Sequence, residues 1–286
     1  MWPNYGFSKE QTESPDFDLN PQMFNSFLDG TKSALEMAAV ANGCDLSPPS
    51  DGLEFPPCGA HDLPTVLRPK EDGGHLEKKG TVEVVSSLEL DGREVHNEIR
   101  FGVFVVFEGG HLVPSTTVSD MRLADTCSAP GQYQKDCFKQ YGMQTDSTGK
   151  YAVQYKPYHL IGLELGYSIA SIMCRGEPTG QTQTWAGDVI ATAKRDLEAG
   201  EKLDGEGGFM VYGRLVPAEK SMEIEGLPIG LAHGLVLKDD IKKGQGLSWQ
   251  HVEWSEKTQA VAVRREMEEM FRKEFKGSKV HTNGSA

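Results

Sequence analysis

The sequence predicts an α+β protein, with a central domain of mixed helix and sheet, a smaller β-rich domain after it, and a C-terminal helix. Three observations lead there. Residues 20–43 hold an apolar-rich run framed by helix start and stop signals. Residues 81–107 read as strands around a turn dipeptide. From Ala186 to Trp254, short strand-like runs alternate with glycine turns. The implied divisions are an irregular segment at 1–19, the central domain at 20–184, the β-rich domain at 185–254, and a helix with its tail at 255–286.

Asn20-Pro21 opens the first helix, because Asn is a good N-cap and Pro suits the first helical position. Asn42-Gly43 closes it. Residues 44–80, rich in Pro and Gly, read as a long loop. Thr81–Leu90 and Arg93–Phe107 are expected to pair as a hairpin through Asp91-Gly92. Residues 109–131 match neither period and read as a loop insertion, with a helix-like Tyr133–Tyr141 after it. Pro157 is expected to open a second helix, Tyr158–Arg175, in which Gly162, Gly166 and Ala170 form a stripe of small residues. In the β-rich part Lys194–Leu203 is echoed by Lys238–Leu247, which suits two pseudo-symmetric turns within one small fold. Ser255–Lys276 completes the chain as an amphipathic helix with Val261, Met267, Met270, Phe271 and Phe275 as its apolar members.

A formal net charge of −13 sets nucleic acid and anionic membrane surfaces aside as partners, because both attract Lys and Arg. No apolar run is long enough to span a bilayer. The five cysteines, Cys44, Cys58, Cys127, Cys137 and Cys174, form no C-x-x-C pair and read as reduced, buried thiols of a cytoplasmic protein. No H-x-E or H-E-x-x-H spacing points to a metal, and no G-x-G-x-x-G or Walker-type loop offers a cofactor phosphate cradle.

The strongest chemical constellation lies on the first helix. Asn25, Asp29, Lys32 and Glu36, spaced four, three and four apart, would share one face of a helix that is otherwise largely apolar and so expected to be buried. In the functional reading Lys32 donates a proton to a substrate carbonyl while Asp29 or Glu36 holds and tunes it, and Asn25 binds substrate. In the bland reading the same face is solvated and carries ordinary i,i+4 pairs worth about 0.2–0.5 kcal/mol each. The second constellation is Lys156-Pro157-Tyr158-His159, where Tyr158 and His159 in a first helical turn could bind a polar substrate or merely cap and pack.

Phe27-Leu28-Asp29-Gly30-Thr31-Lys32-Ser33, Lys156-Pro157-Tyr158-His159-Leu160, Ala191–Glu201, and Leu227-Pro228-Ile229-Gly230-Leu231-Ala232 together resemble the homoserine dehydrogenase-like oxidoreductases with a C-terminal SAF domain. That family includes 1-deoxyxylulose 5-phosphate reductoisomerase-like enzymes. The resemblance implies a central catalytic and dimerisation domain, a β-clip SAF domain, an N-terminal Rossmann domain that these residues do not supply, and NADP or NAD as cofactor. It implies a polar, small-molecule hydroxy or keto substrate, a homodimer or a Rossmann-domain partner, Lys32 and Asp29 in the catalytic region, and Tyr158-His159 at the substrate wall. A non-catalytic module that binds sugars or sugar acids, or organises subunits, is the alternative that SAF-type domains imply.

Overall fold

The computed structural model describes residues 20–109, 132–255 and 258–281, the side chains of 132–134 and 273–281 excepted. The proposed insertion at 109–131 and the irregular 1–19 segment therefore lie, Gly109 apart, outside the described residues. In chain order the elements are α1 (Pro21–Leu28), α2 (Thr31–Cys44), α3 (Leu63–Val66), β1 (Val103–Glu108), α4 (Gln132–Gln140), β2 (Gln144–Thr145), β3 (Tyr151–Lys156), α5 (Ile161–Arg175), β4 (Gly187–Ala193), β5 (Val211–Pro217), α6 (Ala218–Glu223), α7 (Ile229–Ala232), β6 (Val236–Leu237), β7 (Val252–Glu253) and α8 (Gln259–His281). The fold is α+β with small antiparallel sheets. Among the described residues, no helix is long and apolar enough to cross a membrane.

The chain divides into two units, but not at residue 184. One unit takes in the described residues up to Glu54, Thr81–Glu83 and those from Gly180 onward; the other comprises Phe55–Gly80 and the described part of Val84–Thr179. The reason is packing. α2 buries Ala34 and Ala41 in the same core as Val189, Ala191, Val211 and Leu215 of the β4–β5 hairpin. The Asn42 side chain seals that contact, donating to the Gly187 carbonyl at 3.1 Å and accepting from the Ala186 and Gly187 amides at 2.8 and 2.9 Å. Small residues on the helix let the hairpin come close.

The sequence echo is a real pseudo-symmetry. Leu197 and Ile241, equivalent in the two copies, exchange both backbone hydrogen bonds, at 2.8 and 2.9 Å. Asp196 accepts from the Lys243 amide and Asp240 from the equivalent Ala199 amide, each at 2.9 Å. Gly200 N–H donates to Leu237 and Gly244 N–H to the equivalent Ala193, both at 2.8 Å. Leu203 and Leu247 close the copies in the core. Each fully buried side chain of this kind stabilises by about 1.5–3 kcal/mol.

α8 is fastened to this unit by charge as well as apolar packing. Arg264 donates to Asp188 at 2.9 and 2.5 Å and to Glu268 at 2.7 Å; both carboxylates are buried and the Arg264 side chain is largely enclosed. Trp249 Nε1 and Arg265 also donate to Glu268, and Ser221 donates to Asp188. Burial opposes the Arg264 charge, but the hydrogen bonds and charges of Asp188 and Glu268 outweigh it and raise the guanidinium above its ordinary value. Val261 is buried, and Phe271 packs edge-on against Trp185 with centroids 5.3 Å apart.

In the other unit, β1, β3 and β2 form an antiparallel sheet in the order β1-β3-β2. The expected long hairpin is corrected here. Asp91-Gly92 does turn the chain, with the Glu89 amide bonded to Arg93 and the Val95 amide to Ser87, but only a single bridge, Leu88–Glu94, flanks it. β1 pairs instead with β3, Val103 opposite Lys156. The cysteine expectation is corrected too: Cys58 is buried, Cys44 and Cys174 are exposed, and Cys137 is intermediate. Burial, helped by Asp62, pushes the Cys58 thiol up to about 12, so it is unreactive near neutrality.

One carboxylate anchors this second unit. Asp146 is buried, 2.9 Å from Arg68, and accepts from Thr148 Oγ1 and the Tyr151 amide. Burial alone would raise its carboxyl; these hydrogen bonds and the Arg68 charge prevail and hold it below its ordinary value of 3.8. A depressed carboxyl contributes stability above the ordinary value and loses it as pH falls through the folded one. Urea midpoints of the wild type are therefore expected to drop between neutrality and pH below 3.8 more than those of Asp146→Asn. Parallel curves for the two proteins would remove Asp146 from this role.

Candidate functional site

The first helix does not continue through its candidate residues. Asn20 caps α1 as expected, its side chain accepting from the Gln22 and Met23 amides, and Pro21 follows. The helix then stops at Asp29. Gly30 adopts a left-handed backbone, φ +83°, and α2 starts afresh at Thr31. The Asp29 carboxylate accepts from the Thr31 amide at 2.9 Å, which stabilises the turn between helices. Asn25, Asp29, Lys32 and Glu36 thus lie on two helices and the joint between them. The expectation of a buried helix is also corrected: Met23, Phe27 and Leu28 of α1 are exposed.

The joint sorts the four residues into two environments. Asn25 is fully buried, its carbonyl accepting from the Asp29 amide. The Asp29 carboxylate is fully buried as well, 2.7 Å from Lys194 Nζ, which is almost as deeply enclosed and also donates to the Gly208 carbonyl at 2.6 Å. Thr31 Oγ1 accepts from the Gly213 amide of β5 at 2.8 Å. The Gly205–Gly208 loop presses onto the start of α1: a Cβ on Gly207 would sit 1.9 Å from the Gln22 carbonyl oxygen. Asp29 therefore belongs to the attachment of the helices to the β-rich fold. Lys32 and Glu36, by contrast, pair with each other at 3.2 Å and remain about half exposed, side chains 42% and 52% open.

Lys194 was legible in the sequence only as part of the echo. A better signal was available: it ends Val189–Ala193, a run of apolar residues and one Thr, and a charge at the end of such a strand needs an internal partner.

Tyr158 and His159 lie in the other unit, and the expectation for them changes in one respect. α5 begins at Ile161, with Leu160 as its N-cap, so His159 precedes the helix and is not in its first turn. Glu164 of α5 organises the segment. Its carboxylate meets Lys156 Nζ, accepts from the Leu160 amide at 3.2 Å and lies 3.4 Å from His159 Nδ1. Lys156 Nζ also sits 4.8 Å above the Tyr158 ring. The Lys156 hydrogen bond, ahead of the cost of desolvation, lowers the Glu164 carboxyl and keeps it ionised. The result is a half-exposed patch with a cation, an imidazole and a phenol, suited to polar or anionic groups.

Among the described residues, no cluster of three or more His, Cys, Asp or Glu side chains is placed to hold a metal. The Gly205–Gly208 loop leads to β5 rather than into a helix, and Gly207 faces the Gln22 backbone, so it offers no cradle to a dinucleotide.

Residues 5–126 match the family model described as oxidoreductase DRL, catalytic domain. Residues 189–253 match the SAF domain. The chain is thus similar to a DRL-type oxidoreductase catalytic domain in its first part and to a SAF domain further on. The first match covers α1, α2 and the Lys32–Glu36 pair, and the second covers most of β4, β5–β7 and Lys194. The Asp29–Lys194 ion pair therefore ties the DRL-type helices to the SAF domain. No curated protein matches the chain.

Proposed function

We propose that this chain is the catalytic and SAF portion of an NAD(P)-dependent oxidoreductase acting on a polar hydroxy or keto compound, phosphorylated substrates included. The observation that carries the reading is the DRL-type match over α1 and α2, on which Lys32 and Glu36 form a reachable acid–base pair. The Gly205–Gly208 loop does not fit a dinucleotide, and in this reading the nucleotide is held by a Rossmann domain. Held there, a nicotinamide would supply the hydride for reduction of the substrate carbonyl.

The part left to this chain is proton handling. Lys32 in its ammonium form donates to the oxygen of a carbonyl being reduced, and takes the proton back from a hydroxyl in the reverse direction. Glu36, 3.2 Å away, orients the amine. Asp29 does not compete for this role, because its charge is committed to Lys194; it positions the helix that carries Lys32. Within the other unit, Tyr158, His159 and Lys156 form a patch suited to polar or anionic groups.

Lys32→Met is expected to lower NADPH-dependent turnover, measured with a nucleotide-binding partner domain present, by about 10²–10⁴-fold. The melting transition and circular dichroism are expected to stay unchanged, since the lost pair is solvent-exposed. Turnover equal to wild type sinks the assignment of Lys32.

A further inference from the structure

Two cations converge on a single oxygen beside β5. In that strand Gly213 and Leu215 turn toward α2: a Cβ on Gly213 would lie 2.9 Å from Thr31 Cγ2, and Leu215 shares the core with Ala34 and Ala41. Successive side chains of a strand point to opposite faces, so Arg214 projects away from α2. Its Nη2 donates to Asp51 Oδ1 at 2.8 Å. Lys220 Nζ of α6 donates to the same oxygen at 3.1 Å and to the Ser50 carbonyl at 3.0 Å.

The donors outnumber the oxygens that answer them. Arg214 Nε shares one edge of the planar guanidinium with Nη2. Yet Nε is buried and finds no acceptor among the described residues. A buried donor left unpaired is costly. Asp51 brings one negative charge to two cations, and its side chain is 77% exposed, against 21% for Arg214 and 40% for Lys220. Ion pairs as open as this hold weakly. Gly52, at φ +98°, carries the Asp51 loop against the arginine stem: a Cβ on it would lie 3.1 Å from Arg214 Cγ. One carboxylate oxygen thus stands where a group with several oxygens and a second charge would engage the whole fork and the ammonium.

We propose that Arg214 and Lys220 form a phosphate-binding site, in which the Asp51 carboxylate holds the ligand's place until phosphate displaces it. A tetrahedral phosphate presents two oxygens to Nε and Nη2 as a bidentate pair and a third to Lys220 Nζ. Ser50, Asp51, Arg214 and Lys220 all belong to one unit. The site does not depend on the oxidoreductase reading. Free phosphate and the phosphoryl group of a small ester share this chemistry.

Isothermal titration calorimetry of the full chain tests it, at constant ionic strength so that screening is equal throughout. Inorganic phosphate probes the free ion and glycerol phosphate the ester. Wild type is expected to bind at least one of them saturably, and the tighter of the two identifies the form that the site takes. Asp51→Asn removes the competing charge and is expected to tighten binding by about fivefold, the factor that one unit charge a few ångströms away is worth in water. Lys220→Gln is expected to weaken binding by about tenfold, as is Arg214→Gln with its circular dichroism unchanged. Wild type that binds neither probe overturns the proposal. Binding unchanged in Lys220→Gln overturns it by placing the phosphate elsewhere. Binding no tighter in Asp51→Asn overturns it too, because the carboxylate would then not occupy the ligand's place.

Discussion

Asp29→Ala is expected to destabilise the unit that carries the SAF domain by about 3–5 kcal/mol, because it leaves the buried Lys194 ammonium without its counter-charge. The carboxylate also holds the α1–α2 turn through the Thr31 amide, so the same substitution loosens the joint that positions Lys32. The energy belongs to the uncompensated charge rather than to the pair as such. Removing both partners, as in Asp29→Ala/Lys194→Met, is therefore expected to cost clearly less than the two single losses together. Guanidinium unfolding followed by Trp fluorescence measures this. Trp185, Trp249 and Trp254, three of the four tryptophans, all lie in that unit. Additive single effects would mean that the two side chains are not coupled.

Arg264→Met is expected to have an effect of comparable size at the other end of the unit. Arg264 is the shared cation of Asp188 on β4 and Glu268 on α8, and without it two buried carboxylates lose their main compensating charge. A cost of about 3–5 kcal/mol lowers the melting temperature on the order of 10 °C for a unit of this size. The Trp185 ring, over which the guanidinium lies at 4.9 Å, reports the loss directly by its emission. Arg265→Met is the control: its contact with Glu268 is less deeply buried, and a smaller loss is expected. Equal midpoints for Arg264→Met and wild type would show that α8 holds by apolar contact alone.

The contrast between Asp29-Gly30 and Asp91-Gly92 shows what the sequence could and could not reveal. Both are the same turn dipeptide. At Asp91 the surroundings read as strand, and the turn was expected; at Asp29 an apolar, Ala-rich run continues on both sides, and the dipeptide read as part of one helix. The break is decided by tertiary structure, since the Asp29 charge is drawn to Lys194, far along the chain. Local signals were legible where the physics is local. The Asn20-Pro21 start of α1 rests on hydrogen bonds to the next few residues, and the SAF echo rests on equivalent residues bonding each other. The partner of β1 was not legible, because Val103–Phe107 has the composition of a strand but carries no mark of which strand it meets. Of the site, the Lys32–Glu36 pair followed from helical spacing alone. The burial of Asn25 and Asp29 did not, because the spacing that suggested a shared face assumed an unbroken helix. Glu164 reaches back to Lys156 and His159 only because α5 starts after His159.

The central claim is this division between a buried charge that builds the joint and an accessible one proposed to handle the proton. Guanidinium midpoints of Asp29→Ala and Lys32→Met, compared side by side with wild type, test it most directly. The account predicts a large fall for Asp29→Ala and a change within about 0.5 kcal/mol for Lys32→Met. A stable Asp29→Ala protein beside a destabilised Lys32→Met protein would contradict it.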